Sequence, residues 1–135
     1  MDNCLFCRIV ARSMPAEIVY ENNQTLAFLD IKPVNPGHVL VIPKNHYADF
    51  VSTPSSVLEE IVAVAQKLAP VILAATGSPA FNIGVNNGKE AGQVVSHMHL
   101  HVMPRHADDG HEMWHGREYT PGEMARVAGE IRGQL

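Results

Sequence analysis

The longest regular pattern in the chain alternates apolar and polar residues over 94–103, through His97-Met98-His99-Leu100-His101. A period of two is the signature of a half-buried strand, whose successive side chains point to opposite faces. The three imidazoles then share one face, while Met98, Leu100 and Val102 face the core. Neighbouring imidazoles stand about 6.6 Å apart at the backbone, twice a strand rise of roughly 3.3 Å. Shorter apolar runs predict strands over 18–21, 25–29, 38–42 and 81–85. Asn22-Asn23 is turn chemistry between the first two, and Pro43 ends the third. Lys32-Pro33-Val34-Asn35-Pro36-Gly37 reads as a turn-rich connection.

Helical spacing appears in three places. Residues 4–12 predict a short helix. Thr53-Pro54 predicts a cap with proline at the first helical position. That helix runs to about Ala75, with Val57, Ile61, Val64, Leu68 and Val71 on one stripe. Pro70 is expected to kink or split it, because an interior proline removes a backbone bond. Thr120-Pro121-Gly122-Glu123 reads as a capping box opening a C-terminal helix. There is no repeat, low-complexity tract or linker. Such grouping predicts an α+β fold with a largely antiparallel sheet, one domain over 1–135.

Composition narrows the function classes. A chain of 135 residues buries roughly two thirds of its unfolded surface, enough for a core. Hydrophobic content of 46% and charged content of 18% fit a soluble globular protein. The net charge of -4 and scattered Lys and Arg argue against sequence-independent nucleic-acid binding. No apolar run reaches the ~18 residues of a membrane span, so no membrane partner is expected. The start, with Asp2 and Asn3, lacks the basic and apolar regions of a signal peptide. With only two cysteines, reduced thiols in the cytoplasm are the expectation.

Candidate chemistry gathers around the histidine row. Asn86-Asn87-Gly88-Lys89-Glu90-Ala91-Gly92-Gln93 precedes it, rich in glycine and side-chain amides that present N–H donors to an anion. It lacks the spacing and hydroxyl of a P-loop, and by itself it reads first as a surface hairpin; its place directly before three histidines turns the reading to a phosphate cradle. Two chemistries use such a row. The imidazoles bind a metal together, or one attacks an electrophile while the others position it. A phosphorus centre suits the second, since imidazole forms a labile P–N bond, and the anion loop favours it over a carbonyl. Cys4-Leu5-Phe6-Cys7 reads as a redox pair without the usual preceding strand, as half a zinc site, or as two unrelated core cysteines.

The row, with Ala91-Gly92-Gln93 before it, resembles the histidine triad (HIT) superfamily of nucleotide hydrolases and transferases. The likeness extends from Cys4 to Arg105, through Phe28-Leu29-Asp30-Ile31, residues 36–44 and His46. It is nearest the bacterial zinc-carrying members, beside the nucleoside-phosphoramidate hydrolase branch. The resemblance implies a HIT-like fold with a long central helix, and a homodimer. It implies that His99 attacks the α-phosphorus of a purine nucleotide and becomes a nucleotidyl-histidine. Asn86, Gly92, Gln93 and His101 match phosphate-contacting positions, and Asp30 the residue that holds the ribose. Phe6, Ile9, Phe28 and Ile31 match the apolar walls of the base pocket, and His38 a supporting histidine. Cys4, Cys7, His46 and His97 match the ligands of one structural zinc ion per chain. Val94 stands where many members have Ser or Thr, and Pro104-Arg105 is more like the dinucleoside-polyphosphate branch. His106, His111 and His115 in the tail are expected to be solvated.

Overall fold

The computed structural model describes residues 3–135, so Asp2 lies outside the described residues. A first short helix, α1 (Leu5–Val10), leads into β1 (Ile18–Glu21), β2 (Thr25–Leu29) and β3 (Val39–Pro43). The long helix α2 (Ser55–Thr76) follows, then β4 (Ala80–Gly84), β5 (Leu100–Arg105) and α3 (Glu123–Gln134). All five strands form one antiparallel sheet in the order β1-β2-β3-β5-β4. The α+β expectation holds.

The sheet is covered on both faces. Ala27, Val39, Val41, Leu100 and Val102 meet Ile61, Val64, Ala65, Leu68, Ala69 and Ile72 of α2. On the opposite face, Leu26, Phe28, Leu40 and Ile42 pack against Phe6 and Ile9 of α1. Met98 joins the α2 side, as the alternation predicts. The histidine face is not half-buried, because α1 lies over it; His97 is 0% exposed and His99 7%.

Several boundaries differ from the sequence expectation. Residues 94–99 are not strand, since the β3 ladder with β5 ends at Val41 opposite Leu100. Beyond that point the Pro43 carbonyl accepts from the His97 ring instead of from a strand amide. Pro54 occupies the N-cap of α2 and makes no side-chain cap bond. Thr53 instead donates to the Asp49 carbonyl. The helix runs through Pro70 without a break, with Pro70 and Gln66 on the exposed side, where water can take the freed carbonyl. Val71 is exposed and Ile72 takes the core position. Gly122, with a left-handed φ of 81°, caps α3, although Glu123 still accepts the Thr120 amide as half a capping box. Among the described residues no helix is long and apolar enough to cross a membrane.

Candidate active site and metal centre

Three main-chain groups and one ring-to-ring contact fix which nitrogen of each key histidine carries its proton. A carbonyl only accepts, and an amide N–H only donates. His99 Nδ1 lies 2.7 Å from the His97 carbonyl, so Nδ1 is protonated and Nε2 keeps a lone pair. His97 Nε2 lies 2.8 Å from the Pro43 carbonyl, which leaves its Nδ1 as the basic nitrogen. His38 Nδ1 accepts from the Val34 amide at 3.0 Å, so the neutral ring carries its proton on Nε2. That Nε2–H faces His101 Nδ1 at 2.8 Å. His101 is therefore protonated on Nε2, a buried atom that has no partner among the described residues.

His99 and His101 lie edge to face, with ring centroids 4.9 Å apart, at one end of a cavity of about 410 Å³. Gly92, Asp30 and Lys32 border the cavity, and Phe6, Ile9, Phe28, Leu40, Met14, Pro15 and Ala16 give it apolar walls. Ile31 lines it from the rim and is otherwise exposed. Burial pushes His99, His38 and His101 below the ordinary imidazole value, and takes His101 down to about 4. The cavity thus combines an apolar slot, one acidic side chain, a neutral basic nitrogen and an unused N–H donor.

The loop before the row is folded by its own amides. Gly88 and Gly92 adopt left-handed φ values of 87° and 91°, flanking a single 3₁₀ turn at Lys89–Ala91. The Gln93 side chain accepts the Gly88 amide and donates to the carbonyls of Ala48 and Val95. Its amide is committed to holding the loop. Asn87 accepts the Phe50 amide, and Asn86 lies against Gly92.

A second cluster sits behind α1. Cys7 Sγ is 3.3 Å from His46 Nδ1 and 3.6 Å from His97 Nδ1, and Cys4 Sγ is 3.5 Å from His97 Nδ1. All four ligand atoms lie within 4.8 Å of one another. Zinc bound to sulfur at ~2.3 Å and nitrogen at ~2.1 Å separates tetrahedral ligand atoms by about 3.5 Å. The donor set and its spacing fit that ion. The Pro43 carbonyl supplies the outer hydrogen bond that aims His97 Nδ1 inward. Burial and the neighbouring Cys4 thiol push the Cys7 thiol up, a shift that a bound cation reverses.

A HIT domain model matches residues 11–108 of this chain. The chain belongs to the HIT family. An uncharacterised HIT-like protein of Methanocaldococcus jannaschii is 42% identical over 96% of the chain and 99% of its own length. Adenylylsulfatase HINT3 of Arabidopsis thaliana is 41% identical over 80% of this chain and 55% of its own. Adenosine 5'-monophosphoramidase HNT1 of Candida albicans is 38% identical, over 76% of this chain and 70% of its own. Among solved structures, a Streptococcus mutans protein superposes with a TM-score of 0.93 at 36% identity, covering 99% of this chain and 86% of that one. A zinc-bound histidine triad protein from Mycobacterium smegmatis gives 0.77 at 37% identity, covering 99% and 96%.

Not every cluster in this HIT domain suits a metal. Asp30, His38 and His101 also bring three ligand atoms within 4.8 Å. A metal there needs a lone pair on His38 Nε2, which moves the proton to Nδ1 and against the Val34 amide. Pro104-Arg105, the dinucleoside-polyphosphate-like feature, points away from the cavity, with Arg105 held by Asp109, Asn82 and the His111 carbonyl. Sequence reasoning missed the Met14-Pro15-Ala16 wall, which carries no chemical signal. It also missed the Arg105–Asp109 pair, whose four-residue spacing offered one.

Proposed function

We propose that residues 1–135 form one HIT domain and that it hydrolyses purine nucleoside phosphoramidates at the α-phosphorus. The carrying observation is the 2.7 Å hydrogen bond from His99 Nδ1 to the His97 carbonyl. It leaves His99 Nε2 as a lone pair on a ring that lines the nucleotide-sized cavity. In the first step the Nε2–P bond forms and the bond from phosphorus to the leaving amine breaks. The amine departs with the bonding pair and takes a proton from water. In the second, water attacks phosphorus and gives its proton to the hydroxide left by the first step, the P–Nε2 bond breaks, and a nucleoside monophosphate leaves. Asn86 and Gly92 border the phosphate, with Gln93 shaping their loop, and His101 donates its Nε2–H to a phosphoryl oxygen. Asp30 holds the ribose, and Phe6, Ile9, Phe28 and Ile31 enclose the base.

Two relatives support the substrate class, because the adenylylsulfatase and the monophosphoramidase are both named for adenylyl compounds with a leaving group on phosphorus. Rapid-quench trapping with adenosine 5'-phosphoramidate labelled at phosphorus tests the mechanism. Acid-labile label on His99 is expected. Tight nucleotide binding with no trapped label would make the protein a purine-nucleotide-binding module, the reading that Val94 favours. Faster turnover of diadenosine polyphosphates than of phosphoramidates would assign it to the dinucleoside polyphosphate hydrolases.

Cys4, Cys7, His46 and His97 hold one zinc ion as a closed, structural set of four protein ligands. When bound, zinc supplies a cross-link rather than an open coordination position for chemistry. The chain works as a cytoplasmic homodimer, without nucleic-acid or membrane partners. An apolar groove between α2 and edge strand β4, exposing Val62, Phe81 and Ile83, is the face that supports the dimer.

A further inference from the structure

His111 is exposed, as expected of this tail, and its Nε2–H also donates to the Val34 carbonyl at 2.8 Å. The amide of that same residue sets the proton on His38, and through it the proton on His101. Val34 sits between Pro33 and Pro36, neither of which has an N–H to brace the loop from within. Within the loop the His38 amide donates to the Asn35 carbonyl at 3.1 Å, and the rest of the bracing comes from β5 and the tail. Asn35 Nδ2 donates to the Pro104 carbonyl and to Asp109 Oδ2, each at 2.9 Å. Asp109 takes Arg105 through both carboxylate oxygens, and its Oδ1 accepts the His111 amide at 3.1 Å. Arg105 in turn donates to the His111 carbonyl at 2.9 Å, and its guanidinium holds the Asp109 carboxyl well below the usual range.

We infer that His111 is a positioning residue for the phosphate end of the site. Held by the Arg105–Asp109 pair, it holds the Val34 carbonyl and so restrains the backbone torsions of Val34, whose N–H lies in the preceding peptide group, so that the His38–His101 pair keeps the His101 Nε2–H turned toward substrate. This rests on the phosphoryl-transfer reading, since it is the phosphoryl oxygen that accepts this N–H. Without His111 the Val34 amide loses its fixed direction. His38 then samples both tautomers, and His101 follows it. The apolar walls of the cavity do not depend on this chain of bonds, so nucleotide affinity stays the same.

The test uses the zinc-loaded protein as purified, with ¹⁵N-labelled histidine and long-range ¹H–¹⁵N spectra at neutral pH. Wild type should show His38 and His101 both protonated on Nε2. His111→Ala should mix the His101 tautomers and lower kcat on adenosine 5'-phosphoramidate by about fivefold, the worth of one neutral hydrogen bond. KM should stay within about twofold. His111→Gln, whose amide can donate to the Val34 carbonyl, should restore both readouts. A wild-type His101 protonated on Nδ1 would overturn the inference. So would unchanged tautomers in His111→Ala, or a loss of kcat that follows lost thermal stability and is not rescued by glutamine. If wild type turns over no nucleotide, the proposed reaction fails, while the spectra of wild type and His111→Ala still decide the tautomer chain.

Discussion

His97 serves two neighbours with different parts of itself. Its ring faces Cys4 and Cys7, while its carbonyl holds the Nδ1–H of His99. His99→Asn keeps a donor toward the His97 carbonyl and removes the Nε2 lone pair. Turnover should fall by at least about 10⁴-fold, with nucleotide affinity by calorimetry nearly unchanged. His101 offers a stability signature. Burial, then the facing rings of His99 and His38, push it from 6.5 down to about 4, against a pull from the Asp30 carboxylate. The unfolded chain therefore binds this proton first as pH falls, so its contribution is complete above pH 6.5 and is lost toward pH 4. Urea unfolding across that window should show a steeper loss for wild type than for His101→Asn. Gly37, next to His38, has φ of +94°, and an added Cβ meets Thr76 Cγ2 at 2.5 Å and Pro104 at 3.4 Å. Gly37→Ala should cost about 2–4 kcal/mol in chemical denaturation, from backbone strain and overpacking together.

At the scale of elements, α1 joins the metal centre to the cavity. Cys4 caps it, with Sγ accepting the Cys7 amide at 3.4 Å, and Cys7 lies one turn on. Phe6 and Ile9 of the same helix are buried against the sheet, and Phe6 meets the His99 ring edge to face at 5.1 Å. Six residues do not hold a helix in water without such anchors. The proposed zinc site predicts one equivalent in wild type by elemental analysis and none in the double variant Cys4→Ser, Cys7→Ser. KM for the nucleotide should rise by at least about tenfold as the Phe6 wall loosens. Zinc content equal to wild type would mean that other residues bind the metal. The same element shows how tertiary contact decides local structure. Residues 94–99 carry a strand pattern as regular as the rest of the row, but past Val41 strand β3 ends in Pro43, which has no N–H, and the Met98 amide donates to the Tyr47 carbonyl instead.

The whole molecule is one sheet with a helix-packed face and a site-bearing face, and its edge strand β4 lies beside the exposed side of α2. The proposed dimer predicts that wild type runs as a dimer by light scattering and Phe81→Asp or Val62→Glu as a monomer, with little loss of helical circular dichroism. A wild-type monomer at micromolar concentration would refute the dimer. The α+β class and most strand segments were legible in sequence, because alternation and apolar spacing are local properties of the chain; the choice of His99 from the row came only from the family resemblance. The Cys4, Cys7, His46 and His97 set was legible only by resemblance, since no spacing rule links residues as much as 93 positions apart. Tautomers lay wholly outside the sequence. They follow from which carbonyl or amide meets each ring, and the Pro43, His97 and Val34 main chains reach their rings only once the sheet and loops have closed. Sequence alone thus determined which residue types share the catalytic row, through the period of a strand. Tertiary structure decided what each ring does there, because a proton on one nitrogen or the other is set by a partner brought in from elsewhere in the fold.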